Sequence, residues 1–424
     1  MKIFDDLGLR VENAWRETNY SEAAFPEIAM QALAKAGLSE KVTPWDIIRW
    51  VGSVSQLPKQ LDIEANFGNP PVTLFYGHRF CIDFYFWVDG TTEIHQHAFA
   101  GAFQVLVGSS IHSRYSFQED RPISQHFRLG QVKFETCELL QERDVRPIVP
   151  GAEHIHALFH LDRPSATIAV RTFGLPANQP QYSYRKPFIA IDPFYREPSL
   201  ARSLQLVSML LTLRDPVHDE LINELLATSD LHASFLILQT AFQHLSGSQI
   251  DKVFQLATGR DRLDQLLEKT RRKHGSLVDY LTPVLEEQDR VGDIVQRRRF
   301  ITAPEHRFFL ALILNVPSRG KLLNMTQQRF PENDPVDTVL DWVMDLATTK
   351  VWGSSEPNVL GIADFNENYL FVLECLLREQ PPEQIRALIE SQYPADAARK
   401  LEGDFEEIAA KLRSSILFRT LLAD

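Results

Sequence analysis

The spacing of apolar residues changes abruptly along this 424-residue chain, and that change limits what it can fold into. From about Phe67 to Tyr184, short segments alternate apolar and polar residues, the period-two pattern of strands. After Pro187, leucines recur three and four residues apart in stretches such as SLARSLQLVSMLLTL, HASFLILQTAFQHL and PEHRFFLALILNV, the pattern of amphipathic helices. The two patterns demand different layers, so the spacing predicts an α+β chain: a β-barrel or jelly roll followed by a large all-α domain. Residues ahead of the strands also read as helical. SEAAFPEIAMQALAKAGL ends in the cap-like Gly37, and TPWDIIRWVGSV offers Thr43 as N-cap with Pro44 at the first helical position. The expected divisions are therefore 1–66 (helical), 67–186 (barrel) and 187–424 (helical), with the first helices covering one side of the barrel. A partner-binding arm is the other role open to them.

Within the β region the candidate strands are 72–75, 80–88, 93–97, 103–107, 111–117, 132–140, 144–149, 156–160 and 167–173. In FCIDFYFWV, Phe80, Ile82, Phe84, Phe86 and Val88 alternate with Cys81, Asp83, Tyr85 and Trp87, which predicts a strand with two unlike faces. In the helical region Asp334 precedes Pro335 as a capping pair.

Charge and cysteine usage narrow the class of partner. With 44 Lys and Arg against 56 Asp and Glu, the formal net charge is −12, which argues against nucleic acid as the main ligand. The short basic runs Arg271 to Lys273 and Arg297 to Arg299 are expected on solvated helix faces. The three cysteines, Cys81, Cys137 and Cys375, are odd in number and widely spaced, so neither a disulfide framework nor a thiolate zinc site is indicated. The start MKIFDDLGLR lacks a signal-peptide pattern, and no apolar run reaches the roughly 18 residues of a membrane span. A cytoplasmic protein with no membrane partner is the expectation.

The chemistry concentrates in DGTTEIHQHAFAGAFQVLVG, residues 89–108. His95 and His97 are two apart, so on a strand both imidazoles leave one face. A second cluster, EHIHALFH, follows the Pro150-Gly151 turn. Three neutral imidazoles from two strands make a facial site for a divalent transition metal, with positions left for substrate. The third ligand is expected from this cluster: His156 is preferred because it sits on the better-aligned strand, with His154 as second choice, and because the two share a face the sequence separates them poorly; His160 reads as a supporting histidine. Arg171 and Arg114, on barrel strands, are candidates for substrate contact, since a buried arginine is paired or functional. Tyr115 and Tyr85 are strand aromatics whose ordinary role is packing, and Tyr115 is retained as a catalytic candidate.

The stretch from Gly90 through His95-Gln96-His97 to Gly108 resembles the first cupin motif: glycine, His-x-His, three or four residues, glutamate, six residues, glycine. The glutamate position falls on Gly101. PGAEHIHALFH resembles the second motif, whose asparagine position falls on His160 if His156 is the ligand, or on Leu158 if His154 is. A three-histidine site without glutamate is similar to that of the cysteine dioxygenase-like thiol dioxygenases, and FYFWVDGTTEIHQH looks like the matching segment there. The resemblance spans roughly 67–180. It implies a cupin barrel in which His95, His97 and His156 hold Fe(II) for a small thiol or carboxylate-bearing substrate and O₂. That family's Ser-His-Tyr relay is matched here only by Ala169, Arg171 and Phe173, so the relay is missing. Its carboxylate-gripping arginine has Arg79 as nearest counterpart, with Arg171 as the alternative clamp. The expected activity is a mononuclear non-haem iron oxygenase. The alternative is a non-catalytic cupin that senses a small molecule and engages a protein partner, or a second copy, through its helical domain.

Overall fold

The computed structural model describes residues 1–422 apart from 62, 64–67, 89–92, 175–176, 178–179, 214, 247–257 and 352–355. Asp89 and Gly90, which open the first motif, lie outside the described residues. The chain divides into two compact units, residues 1–246 with 257–288, and residues 289–424 with 247–256.

The first unit holds all eleven described strands. β1 (Pro71–Tyr76), β2 (Phe80–Trp87), β9 (Ser165–Thr172), β4 (Gly101–Val107) and β7 (Val145–Ile148) form one sheet in the order β1-β2-β9-β4-β7. A closed barrel runs β10-β11-β6-β5-β8-β3, from β10 (Ser183–Arg185), β11 (Ile189–Ile191), β6 (Phe127–Leu140), β5 (Ser110–Ser124), β8 (Ile155–His160) and β3 (Ile94–His95). Neighbours pair antiparallel throughout. The expected β-barrel with flanking helices is therefore what the chain forms.

The two faces read in FCIDFYFWV have different neighbours. Phe80, Ile82, Phe84 and Phe86, with Ala102, Ile168 and Val170 from β4 and β9, pack into one core with Phe4, Leu7, Val11 and Trp15 of α1 (Lys2–Glu17) and Phe25, Ala29 and Leu33 of α2 (Phe25–Ala36). At roughly 1.5–3 kcal/mol for each large side chain fully removed from water, this contact fastens the N-terminal helices to the sheet. They cover it as expected. Gly37 stops α2 in the left-handed region at φ 61°, which glycine adopts without penalty, and Thr43 caps the helix Pro44–Ser53 through a reciprocal bond pair with Asp46. The opposite face of the sheet carries Asp83, Tyr85, Trp87, Thr167, Ala169 and Arg171, and it is this face that meets the candidate centre.

The helices Pro198–Leu213, Val217–Thr228, Leu231–Ser246 and Thr258–His274 belong to the same unit as the barrel. Val207, Ile222, Phe235, Leu238 and Leu266 bury against Phe127, Leu129, Ile189 and Ile191 of β6 and β11. In the second unit Asp334 caps Pro335–Thr348 by accepting from the backbone of Val336 and Asp337, as its place before a proline suggests.

Several local expectations need correction. β5 and β6 run much further than 111–117 and 132–140, forming a long hairpin in which the outer part of β5 is largely exposed and polar while Phe127 and Leu129 of β6 pack against the helices. β10 and β11, three residues each, are too short to show alternation, and the sequence reading missed them. Arg297 and Arg298 are buried, not solvated: Arg297 pairs with Asp293 at 2.7 Å, and Arg298 donates to the Arg307 carbonyl at 3.2 Å. Three adjacent residues on a helix cannot all face water when the flanking turns are packed. Arg271 to Lys273 are exposed as expected.

Candidate metal centre

His95 on β3 faces His156 on β8 across an antiparallel pair, and His97, just past the end of β3, bridges to Pro150 beside the Pro150-Gly151 turn. Pairing of two short strands thus brings together histidines about sixty positions apart. One nitrogen from each of His95, His97 and His156 lies within 4.8 Å of the others, and the Nε2 atoms of His97 and His156 are 2.9 Å apart. All three side chains are buried.

Burial determines their charge state. Desolvation lowers the pKa of His95, and of His97 and His156 well below the usual imidazole value, with mutual repulsion among the rings adding to it. At neutral pH each ring is neutral and keeps a lone pair, as metal ligation requires. His95 has Nδ1 2.7 Å from the Glu93 carbonyl, an acceptor, so Nδ1 carries the proton and Nε2 the lone pair. A compact set of neutral buried imidazoles fits a divalent first-row metal.

His154 stands differently. It ends a 3₁₀ turn, Ala152–His154, instead of sharing the strand with His156, and it groups with His112 and His156 rather than with His95 and His97. Its Nε2 is buried without a hydrogen-bond partner. His112, on β5, escaped the sequence reading: 44 residues from His156 and alone in its segment, it shows no spacing signal. His160, at the far end of β8, stacks on Trp87 at 4.2 Å and lies 3.0 and 3.1 Å from the hydroxyls of Ser110 and Ser165, a supporting position.

A partly open pocket lies beside the three histidines, which form part of its lining. Tyr85, Trp87, Phe99, Phe103, Ile148 and Leu158 form most of its wall, with Thr167, Ala169 and Arg171 completing it. Arg171 thus reaches the cavity, but already engaged: its Nε donates to Asp83 Oδ2 at 2.7 Å and its guanidinium lies over Phe99, 5.1 Å from the ring centre. Asp83, itself buried, also accepts from Thr73 Oγ1 at 2.7 Å. Thr167 accepts from the Trp87 indole at 2.9 Å.

The remaining candidates do not converge here. Arg79 sits on the exposed turn between β1 and β2 with its guanidinium over the Tyr20 ring, 4.3 Å from its centre, because Phe80 turns inward toward the helices and leaves Arg79 outside. Tyr115 packs in a separate cluster with Ile155, Tyr182 and Tyr184, and burial raises its phenol well above the usual range, so it is neither near the cavity nor ready to lose a proton. Arg114 is exposed and donates to the Glu153 carbonyl at 3.0 Å. Cys81 is buried and Cys137 only half-buried.

The supporting histidine sets a pH dependence. Burial pushes His160 down to about 3, so the folded chain keeps it neutral while the unfolded chain protonates near 6.5. Its stabilising contribution is complete above about pH 6.5 and is lost as pH falls toward 3, amounting to about 2 kcal/mol by pH 5. Urea midpoints measured between pH 7.5 and 5 are expected to fall, and His160→Gln is expected to reduce that slope by one histidine's share, the rest belonging to His95, His97, His154 and His156; an unchanged slope would show that His160 does not contribute.

No protein-family model matches the chain, and no curated protein matches it. Among solved structures it is similar to a cupin superfamily protein from Desulfitobacterium hafniense, at 14% identity and TM-score 0.18 over 28% of this chain and 96% of that one. It is also similar to hydroquinone 1,2-dioxygenase from Sphingomonas sp., solved with 4-hydroxybenzoate bound, at 12% identity and TM-score 0.20 over 27% of this chain and 72% of that one. A third likeness, to CapF solved with 3-isopropenyl-tropolone, has 16% identity and TM-score 0.21 over 30% of this chain and 34% of that one. Likenesses this partial carry no functional weight, and the barrel assignment stands on the strand pairing of this chain. No helix among the described residues is long and apolar enough to cross a membrane.

Proposed function

We propose that this chain is a metal-dependent cupin, a mononuclear non-haem iron oxygenase acting on a small substrate with O₂. The observation that carries the reading is the adjacency of three neutral, buried histidines to a partly open, mostly apolar pocket. His95, His97 and His156 would hold Fe(II), which when bound supplies a redox-active Lewis acid at which substrate and O₂ meet. If both oxygen atoms enter the substrate, no external reductant is required.

The chain's own contribution is binding, orientation and exclusion of water. Trp87, Phe99, Phe103 and Tyr85 present apolar ring surface, which suits a substrate with an aromatic or aliphatic body over a small, strongly hydrated amino-acid thiol. Arg171 would orient a polar or anionic end while keeping its bond to Asp83. Because that carboxylate already compensates its charge, the clamp is weaker than a lone guanidinium would be. No Ser-His-Tyr relay lies on β9, so proton transfer would rest with substrate and solvent.

The test is oxygen uptake by the full-length protein loaded anaerobically with Fe(II), across small thiols, hydroxylated aromatics and aliphatic carboxylates. Acceleration by one class over the no-substrate rate is expected. Stoichiometric iron with no acceleration by any class would overturn the oxygenase reading and favour the ligand-sensing alternative.

A further inference from the structure

Behind the candidate centre, on the side of His156 away from His97, a hydrogen-bonded chain runs through four strands, β8, β5, β6 and β7. His156 Nδ1 is 3.0 Å from His112 Nε2, and His112 Nδ1 is 2.9 Å from Glu138 Oε1. Arg146 then grips the carboxylate with both arms, Nε to Oε1 at 2.9 Å and a terminal nitrogen to Oε2 at 2.6 Å. The register builds this array, because His112 on β5 pairs with Glu138 on β6 while the neighbouring Arg114 pairs with His156 on β8. His112 and His156 are each 2% exposed, so no water substitutes for these partners.

We infer that Glu138, acting through His112, holds His156 with its proton on Nδ1, so that Nε2 presents its lone pair toward His97 before any metal arrives. The inference rests on His156 being a metal ligand only for its purpose, since the proton's place is fixed by this chain of residues alone. The direction follows from acceptor chemistry. Glu138 is ionised, held down at about 2 by its bonds to His112 and Arg146, and a carboxylate can only accept. His112 must therefore donate from Nδ1. Being buried, and facing a carboxylate whose charge Arg146 already balances, His112 is neutral and has only a lone pair left on Nε2. His156 must then donate from Nδ1, which leaves Nε2 bare. This makes His112 and Glu138 positioning residues, of the kind that orient ligating imidazoles and are worth about 10–100-fold in metal affinity.

The array also tells against a second ion among His112, His154 and His156, because His112 Nε2 is occupied by the bond to His156. Long-range ¹H–¹⁵N correlation spectra of the metal-free, histidine-labelled protein at pH 7.5 read the tautomer directly. His156 protonated on Nδ1 is expected, and His156 protonated on Nε2 would overturn the inference. Co(II) titration supplies the second arm. His112→Phe is expected to weaken binding about 10–100-fold, and His112→Gln, whose amide oxygen can take the place of Nε2, to restore most of it, with dispersed amide spectra reporting that each variant folds. Equal affinity in the wild type and His112→Phe, or two Co(II) per wild-type chain, would also overturn it. A wild type that binds no Co(II) while His156 carries its proton on Nδ1 would instead sink the metal reading and leave the tautomer assignment intact.

Discussion

Joint replacement of His95 and His97 by alanine is expected to abolish stoichiometric metal binding, taking one Fe(II) or Co(II) per chain to a trace, while far-ultraviolet circular dichroism stays near wild type. Two of three imidazoles would be gone, and the remaining one, on β8, keeps beside it His154 and His112, the latter with Nε2 engaged by the bond to His156. Outer partners alone are worth about 10–100-fold in affinity, so loss of two direct ligands should exceed that range. The fold should survive because neither His95 nor His97 belongs to the apolar clusters that hold the sheet and barrel. His154→Ala should leave binding close to wild type, since His154 sits outside the group formed by His95, His97 and His156. Metal content by mass spectrometry, read beside Co(II) absorption, decides the matter. Stoichiometric metal retained by the double variant, or loss in His154→Ala with retention in His156→Ala, would reject the ligand set.

The difference between His154 and His156 shows what the sequence could and could not tell. Two residues apart, they look equivalent on an extended strand, and only the 3₁₀ turn at Ala152–His154 takes His154 out of phase. That turn depends on Gly151, at φ 80°, whose effect on the neighbouring rotation no periodicity reveals. The His-x-His pair was legible because both members and their strand are local. His112, Glu138 and Arg146 were not, because their relation exists only in the register of β5 against β6 and β8 and in the approach of Arg146 from β7. Arg171 lies between these cases: its place on a strand made it a candidate without showing which way it faces, and its partner Asp83 comes from β2, so the engagement of its charge was invisible. Arg79, drawn from a family resemblance upstream of the histidines, failed because one residue's shift along a strand end exchanges the inside for the outside.

Gly101 is where the fold itself selects three ligands over four, and Gly101→Glu is expected to destabilise the first unit severely and to gain no metal affinity. Gly101 opens β4 and pairs directly with Arg171 on β9. Residues opposite each other in an antiparallel pair project from the same face, so a side chain at 101 would emerge where Arg171 enters the cavity. A Cβ there would lie 2.3 Å from the Val170 carbonyl oxygen and 3.0 Å from the Arg171 Cα, both backbone atoms that cannot turn aside. Even Gly101→Ala should cost about 1–3 kcal/mol as overpacking. Glutamate adds a buried carboxylate to that strain, which against a total stability of about 5–15 kcal/mol is enough to unfold much of the population at 25 °C. Urea denaturation of both variants, with Co(II) titration of whichever stays folded, measures the effect. A Gly101→Glu protein that folds with a wild-type midpoint and binds Co(II) more tightly than the parent would mean that the sheet does yield there. The missing fourth ligand would then owe nothing to the packing of β4 on β9.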